Sequence, residues 1–182
     1  MAQIDGVTLP ECDESVAAPD GPTFAFWAEA HEEQYPLPKG AVVRIAADRG
    51  VSWRRVEVVA KRLEQQGSKP VLLCGVGSTD QIGAFEPFAE LHPGDHLTLD
   101  ASRGQFFVGH PGGKGTQVKS FDEQHIAKSF IREAMSPIVA QYKIHDVEVR
   151  VDPHMNWADV VRAVDGARTC CDGVAMRASL FE

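Results

Sequence analysis

Apolar and polar positions alternate over residues 43–47, where Val43, Ile45 and Ala47 are interleaved with Arg44 and Ala46. The same alternation returns over 147–151, with Val147, Val149 and Val151 set between Glu148 and Arg150. A period of two predicts a strand with one buried face. Each run closes on an aspartate, Asp48 or Asp152, whose carboxylate can accept from nearby backbone N–H groups and so favours a turn. The period then becomes helical, through Trp53, Val56, Ala60 and Leu63, and through Trp157, Val160, Val161, Val164 and Ala167. Ser52 and Asn156 stand where an N-cap is expected, and Asp159 suits the positive end of the helix dipole. A second apolar run follows each helix, at 70–74 and at 174–176 with Leu180 and Phe181 beyond. Both stretches therefore predict strand, helix and parallel strand. A shift of 104 residues lays Asp48 on Asp152, Trp53 on Trp157 and the apolar positions on one another. One supersecondary unit is present twice.

The pattern elsewhere is less regular. Thr23 is placed to cap a short helix through Phe24, Trp27, Ala28 and His31, which Pro36 and Pro38 stop. Residues 76–96 read as a linker, rich in glycine and proline, with an apolar patch at Phe85, Phe88 and Leu91 and one helical turn. Leu97 and Leu99 alternate with Thr98 and Asp100, and a turn at 102–104 returns the chain through 105–108 as a hairpin. Val118 adds a short extended piece. A helix is expected from Ser120, with Glu123 in the capping-box position and Ile126, Phe130, Ile131 and Ala134 on its apolar face. Pro137 should end it, and Ser136-Pro137 should restart a second short helix through Ile138, Val139 and Tyr142. The predicted fold class is α/β in a two-layer α+β arrangement: a mixed sheet with helices packed on it, built from a duplicated strand-turn-helix-strand unit. Its expected segments are an acidic flexible lead-in over 1–22, a first partial repeat over 23–75, the linker over 76–96 and a fuller domain over 97–182.

Composition adds little to this picture except at the N-terminus. At 182 residues, 43% hydrophobic and 24% charged, the chain has the make-up of an ordinary globular protein. No apolar run approaches the roughly 20 residues of a membrane helix, and no signal peptide is visible. The first 38 residues hold eight acids and no Lys or Arg, whereas the remaining 144 balance 18 acids with 18 bases. The acidic segment reads as a solvated tail. No basic stripe marks nucleic acid or anionic lipid as a partner. Cys12, Cys74, Cys170 and Cys171 show no CxxC spacing, so neither zinc nor thioredoxin-like chemistry is indicated. Free thiols are the favoured reading, with one long-range bridge open in an oxidising compartment.

The span 97–182 reads β-β-α-β-α-β and ends in VEVRVDPHMNWADVVRAVDGAR. This order resembles the periplasmic domain of the ExbD/TolR family of biopolymer-transport proteins: an extended stretch ending in Asp, an aromatic a few residues later, a helix of the form xVVxxVDxAR and a final strand. Residues 41–75 resemble a second, partial copy. The chain departs from the family in three ways. It has no membrane helix with a proton-coupling acid, it carries Cys170-Cys171-Asp172 before Gly173 where the family has an earlier glycine, and it has the extra half-copy. The resemblance implies a non-enzymatic module on the periplasmic side of the bacterial inner membrane, without cofactor, metal or catalytic residues. The resemblance further implies that this module works within a proton-motive-force-driven transport complex. The implied partners are a second copy in a homodimer, an ExbB/TolQ-like membrane protein, and a TonB/TolA-like protein or peptidoglycan.

The competing expectation is a small α/β enzyme or a ligand- or metal-binding protein using the loops at 75–96 and 109–116. His92, Asp95, His96 and His110 are its candidate ligands, but Pro93-Gly94 makes their segment a turn rather than a helical face. His145, Asp152 and His154 flank the second strand. The loop at 109–116 lacks the Lys-Ser/Thr of a phosphate loop. Asp48 and Asp152 lie at strand ends, where α/β sites often form, yet no His or Ser recurs beside them, since Gly50 matches His154. Turn formation and core packing explain the Asp–Trp pairs better, and no GxSxG elbow is present.

Overall fold

The computed structural model describes residues 2–13, 16–27, 36–77, 79–102, 105–110, 116–119 and 128–177. They form two compact units, one of Met1–Pro87 with Asn156–Val161, the other of Phe88–Met155 with Arg162–Glu182. The fold is α+β, with mixed sheets and helices packed on them.

The first unit opens with a hairpin of β1 (Gln3–Ile4) and β2 (Val7–Thr8). Asp5 and Gly6 at its tip both take positive φ, 48° and 83°, as a tight two-residue hairpin turn requires. Then follow β3 (Glu11–Cys12), β4 (Val16–Ala17), β5 (Thr23–Phe26), β6 (Val42–Ala47), α1 (Trp53–Gln65), β7 (Lys69–Val76) and β8 (Ile82–Phe85). The sheet order is β4-β8-β7-β6-β5, and β3 pairs with the end of β7. β5, β6 and β7 run parallel, and β8 returns antiparallel to β7. The uninterrupted apolar run of β7 is buried on both faces, as a central strand must be. α1 packs on β6 and β7 and buries Trp53, Val56, Val59, Ala60 and Leu63. Ala2, Val7 and Leu9 form a separate core cluster with Ala46, Val71, Leu73 and Ala84.

Three expectations are corrected here. The residues read as a flexible acidic lead-in form strands, because the central strands need a cover for their second face and Ala2, Val7 and Leu9 supply it. Phe24 and Phe26 belong to a strand rather than a helix, since β5 extends the parallel sheet beyond β6; residues 28–35, where that helix was to continue, lie outside the described residues. The linker region contains β8, paired with β7 from Leu72↔Phe85 to Gly75↔Ile82.

The second unit holds β9 (Leu97–Ser102), β10 (Gln105–Gly109), β11 (Thr116–Lys119), α2 (Lys128–Tyr142), β12 (Asp146–Val151) and β13 (Gly173–Met176). Its sheet order is β11-β10-β9-β12-β13. The first three strands are antiparallel, while β9, β12 and β13 are parallel. The predicted hairpin and the extended piece around Val118 are present. α3 (Trp157–Arg168) starts in the first unit and continues in the second. Leu97, Leu99, Ala101, Phe106, Val108, Val147, Val149 and Val151 line the buried face of this sheet. Ile131 of α2 lies against Gly166 of α3, where a Cβ would come within 2.9 Å of it. α2 runs unbroken through Pro137, contrary to the predicted stop. Only Ile131 and Met135 of this helix are buried, and Pro137 is exposed, so the acceptor it leaves unused is near water. The predicted start at Ser120 lies outside the described residues.

The duplication extends further than the shared residues suggest. β6 pairs with β7 from Val42↔Lys69 to Ile45↔Leu72, and β12 with β13 from Asp146↔Gly173 to Val149↔Met176. Every position in one register maps to the other by the same shift of 104.

Candidate functional site

The repeated aspartates are turn formers. Asp48 Oδ1 accepts from the Gly50 N–H at 3.0 Å, and Asp152 Oδ1 accepts from the His154 N–H at 2.8 Å. The Val51 and Met155 N–H groups close the two turns onto the carbonyls of Asp48 and Asp152. These are local side-chain to backbone bonds two residues on. Ser52 is the N-cap of α1, but its side chain makes no capping bond. Within the first unit, the Trp157 and Ala158 N–H groups donate to the carbonyls of Val51 and Arg49 at 2.7 and 3.1 Å, which satisfies two of the donors that a helix start leaves open. Trp53 and Trp157, both fully buried, stack with centroids 5.8 Å apart and rings 21° from parallel. They are core anchors. Their indole N–H groups have no hydrogen-bond partner among the described residues.

The candidate histidine ligands do not converge on one point. His110 stacks on Tyr142 with centroids 4.4 Å apart. His92 turns to Asp146, and His96 to Glu148. Among the described residues no group of three or more His, Cys, Asp or Glu side chains is placed to hold a metal. The glycine-rich stretch 111–115 lies outside them.

What the second unit does assemble is a set of three His–carboxylate pairs at the start of β12. Asp146, the first residue of the strand, is only 6% exposed. It accepts from the His92 N–H at 2.8 Å, and His92 Nδ1 lies 2.9 Å from Oδ2 and 3.0 Å from Oδ1. His96 Nε2 is 3.4 Å from Glu148, and His145 Nδ1 is 4.0 Å from Asp172. Glu148 also faces Arg177 Nε at 3.6 Å and Arg150 Nε at 3.8 Å. Arg150 is bidentate on Asp100, at 2.7 and 3.1 Å across the β9–β12 pairing. By alternation, Asp146, Glu148 and Arg150 share the polar face of the sheet, opposite Val147, Val149 and Val151.

Electrostatics sharpens one pair. The hydrogen bond to Asp146, followed by its charge, holds the His92 imidazole above its ordinary value of 6.5, and Asp172 adds to this. Burial pushes the Asp146 carboxyl up, but the His92 ring and backbone hydrogen bonds, with the charges of His92 and His145, outweigh burial and hold it below 3.8. The pair is a salt bridge with one exposed and one buried partner. Burial of the Cys171 thiol pushes it up to about 12, which leaves it inert as a nucleophile. Cys170 lies 3.2 Å from Ser136 Oγ.

Asp146 was missed in the sequence as a functional candidate, although a signal was present. At its position the first copy has Val42, and opposite it Lys69 is replaced by Gly173. A Cβ on Gly173 would collide with Asp146 Oδ1, so the glycine makes room for the buried carboxylate. A shallow depression of about 530 Å³ in the first unit is lined by Lys39, Gly40, Ala41, Gln66, Gly67 and Ser68, with one cation and no acid.

The cysteines correct another expectation. Cys12 and Cys74 form a disulfide that joins β3 to β7, with Cα atoms 5.8 Å apart, while Cys170 and Cys171 are free. The favoured reading of free thiols fails for the first two because β3 lies alongside β7, a long-range pairing that no spacing reveals. No protein-family model, curated protein or solved structure matches the chain.

Proposed function

We propose that this chain is a non-enzymatic interaction module of the ExbD/TolR type, working on the periplasmic side of the bacterial inner membrane within a proton-motive-force-driven transport complex. The observation that carries the reading is the second unit, whose β9-β10-α2-β12-α3-β13 order, with β11 added to the hairpin, follows the order on which the resemblance rests. Two further observations support it. The elements common to both copies serve turns and packing rather than chemistry. The Cys12–Cys74 disulfide suits an oxidising compartment such as the periplasm.

The proposed partners are a second copy of the chain, an ExbB/TolQ-like membrane protein, and a TonB/TolA-like protein or peptidoglycan. Light scattering at high micromolar concentration, combined with co-sedimentation on purified peptidoglycan sacculi and binding to an immobilised TonB/TolA-like periplasmic fragment, tests the proposal. Self-association with binding to either target is expected. A strictly monomeric chain that binds neither overturns it.

A further inference from the structure

Residues 88–96 cross the polar face of the second sheet and are fastened to it at three points. Arg177 Nη1 donates to the Ala89 carbonyl at 3.5 Å, His92 binds Asp146 through its backbone and its ring, and His96 meets Glu148. Ala175, which lies opposite Glu148 in register, is fully buried on that face. Two of the three fasteners are thus His–carboxylate pairs, and His145–Asp172 stands beside them. Three of the chain's seven histidines are committed to this one area. Histidine is the side chain whose charge changes near neutral pH, so fasteners of this kind hold or loosen with proton activity.

We propose that residues 88–96 form a pH-dependent strap, closed over the polar face of the second sheet when His92 is protonated and loosened when it is neutral. Protonated His92 donates from Nδ1 to the Asp146 carboxylate as a charge-assisted bond. Loss of the proton from the exposed Nε2 removes the imidazolium charge and weakens the Nδ1–H bond to Asp146 to that of a neutral donor, so the strap is held by this weaker bond, the backbone bond from His92 to Asp146 and the Arg177–Ala89 bond. The groups facing His92 and Asp146 favour the protonated state. Asp172 and Glu148 are acidic, His145 and His96 are the neighbouring imidazoles, and the Cys171 thiol is neutral. On the strap itself Glu90 and Asp95 are acids. Arg150 and Arg177 are the fixed cations, and both are engaged with Glu148. Asp146 stays buried and ionised throughout, a fixed post to which the strap returns.

Hydrogen–deuterium exchange of the whole chain tests this, with the amides of 88–96 followed from about pH 5.5 to about pH 8.5, either side of the ordinary imidazole range, and corrected for intrinsic rates. Protection of the strap should fall roughly two- to five-fold as pH rises, the range expected of an exposed charged pair. The β9 and β12 amides should not change. In His92→Gln, an exposed substitution, strap protection should be lower and its response to pH weaker. Equal strap protection at both ends of the range in the unsubstituted chain overturns the proposal, as does an undiminished pH response in His92→Gln.

Discussion

At the residue scale the two tryptophans and the His92–Asp146 pair carry the most weight. Trp53 and Trp157 are both fully buried and touch each other, so truncation of either leaves a cavity that rigid neighbours cannot refill. Trp53→Ala or Trp157→Ala should cost about 3–5 kcal/mol in chemical denaturation. The double variant should cost less than the sum by roughly 1 kcal/mol, the size of a stacked aromatic contact; strict additivity would mean that the stack contributes nothing of its own. The pH dependence follows from the two displaced groups. His92 is raised in the folded chain, so its contribution is complete below the ordinary imidazole value and is lost as pH rises through the raised one. Asp146 is lowered, so its contribution is present above the ordinary carboxyl value and is lost as pH falls through the lowered one. Stability from this pair therefore peaks between 3.8 and 6.5. Urea unfolding midpoints of the natural chain should exceed those of His92→Gln most in that window, and a difference independent of pH would refute the assignment. The turn roles of Asp48 and Asp152 were legible because they bond two residues away. Asp146 was not, because its partners come from residues 92 and 173, brought together only by folding.

Elements were legible where their pattern is local and strong. The strand-turn-helix-strand of both copies is found as read, since two-fold and helical periods succeed each other within about thirty residues. The misreadings each have a cause. Thr23 to Trp27 has aromatics compatible with either period, and the parallel edge at β6 decides for a strand. Pro137 was read as a stop, but a helix already anchored by Ile131 and Met135 tolerates it on an exposed side. Asp5-Gly6 carries a standard hairpin signal that the surrounding acidic composition masked. Packing between elements gives a test that local propensity would get wrong. In α3, Gly166→Ala should gain about 1 kcal/mol of helix propensity. The added Cβ would sit 2.9–3.0 Å from three atoms of buried Ile131, and such overpacking costs about 1–3 kcal/mol. A net loss of stability is expected in thermal or urea unfolding; an unchanged or raised midpoint would mean that α2 shifts freely to accommodate the methyl.

At the scale of the whole molecule the N-terminal residues change the most from sequence to structure. Their charge says solvated tail, while their few apolar side chains, Val7 and Leu9 above all, are buried against the first sheet. Net charge reports on solubility, and burial is decided by which faces remain uncovered. The central strand β7, apolar on both sides, announces a second cover without saying which segment provides it. The Cys12–Cys74 disulfide fixes the answer covalently. It closes a loop of 62 residues, and loop-closure entropy assigns such a crosslink about 4 kcal/mol. Both sulfurs are buried, so the bond acts as a lock rather than as an exposed redox switch. Thiol-reactive labelling of protein made in an oxidising compartment should find only Cys170 readily accessible in the folded state, given the buried and weakly acidic Cys171. Two thiols should label on denaturation and four on denaturation with reductant. Unfolding in reductant should lose about 4 kcal/mol, with the loss concentrated in exchange protection of β3, β6 and β7. Four thiols in the denatured, unreduced chain would show that residues 2–13 are held by packing alone. Reductant would then leave the stability unchanged.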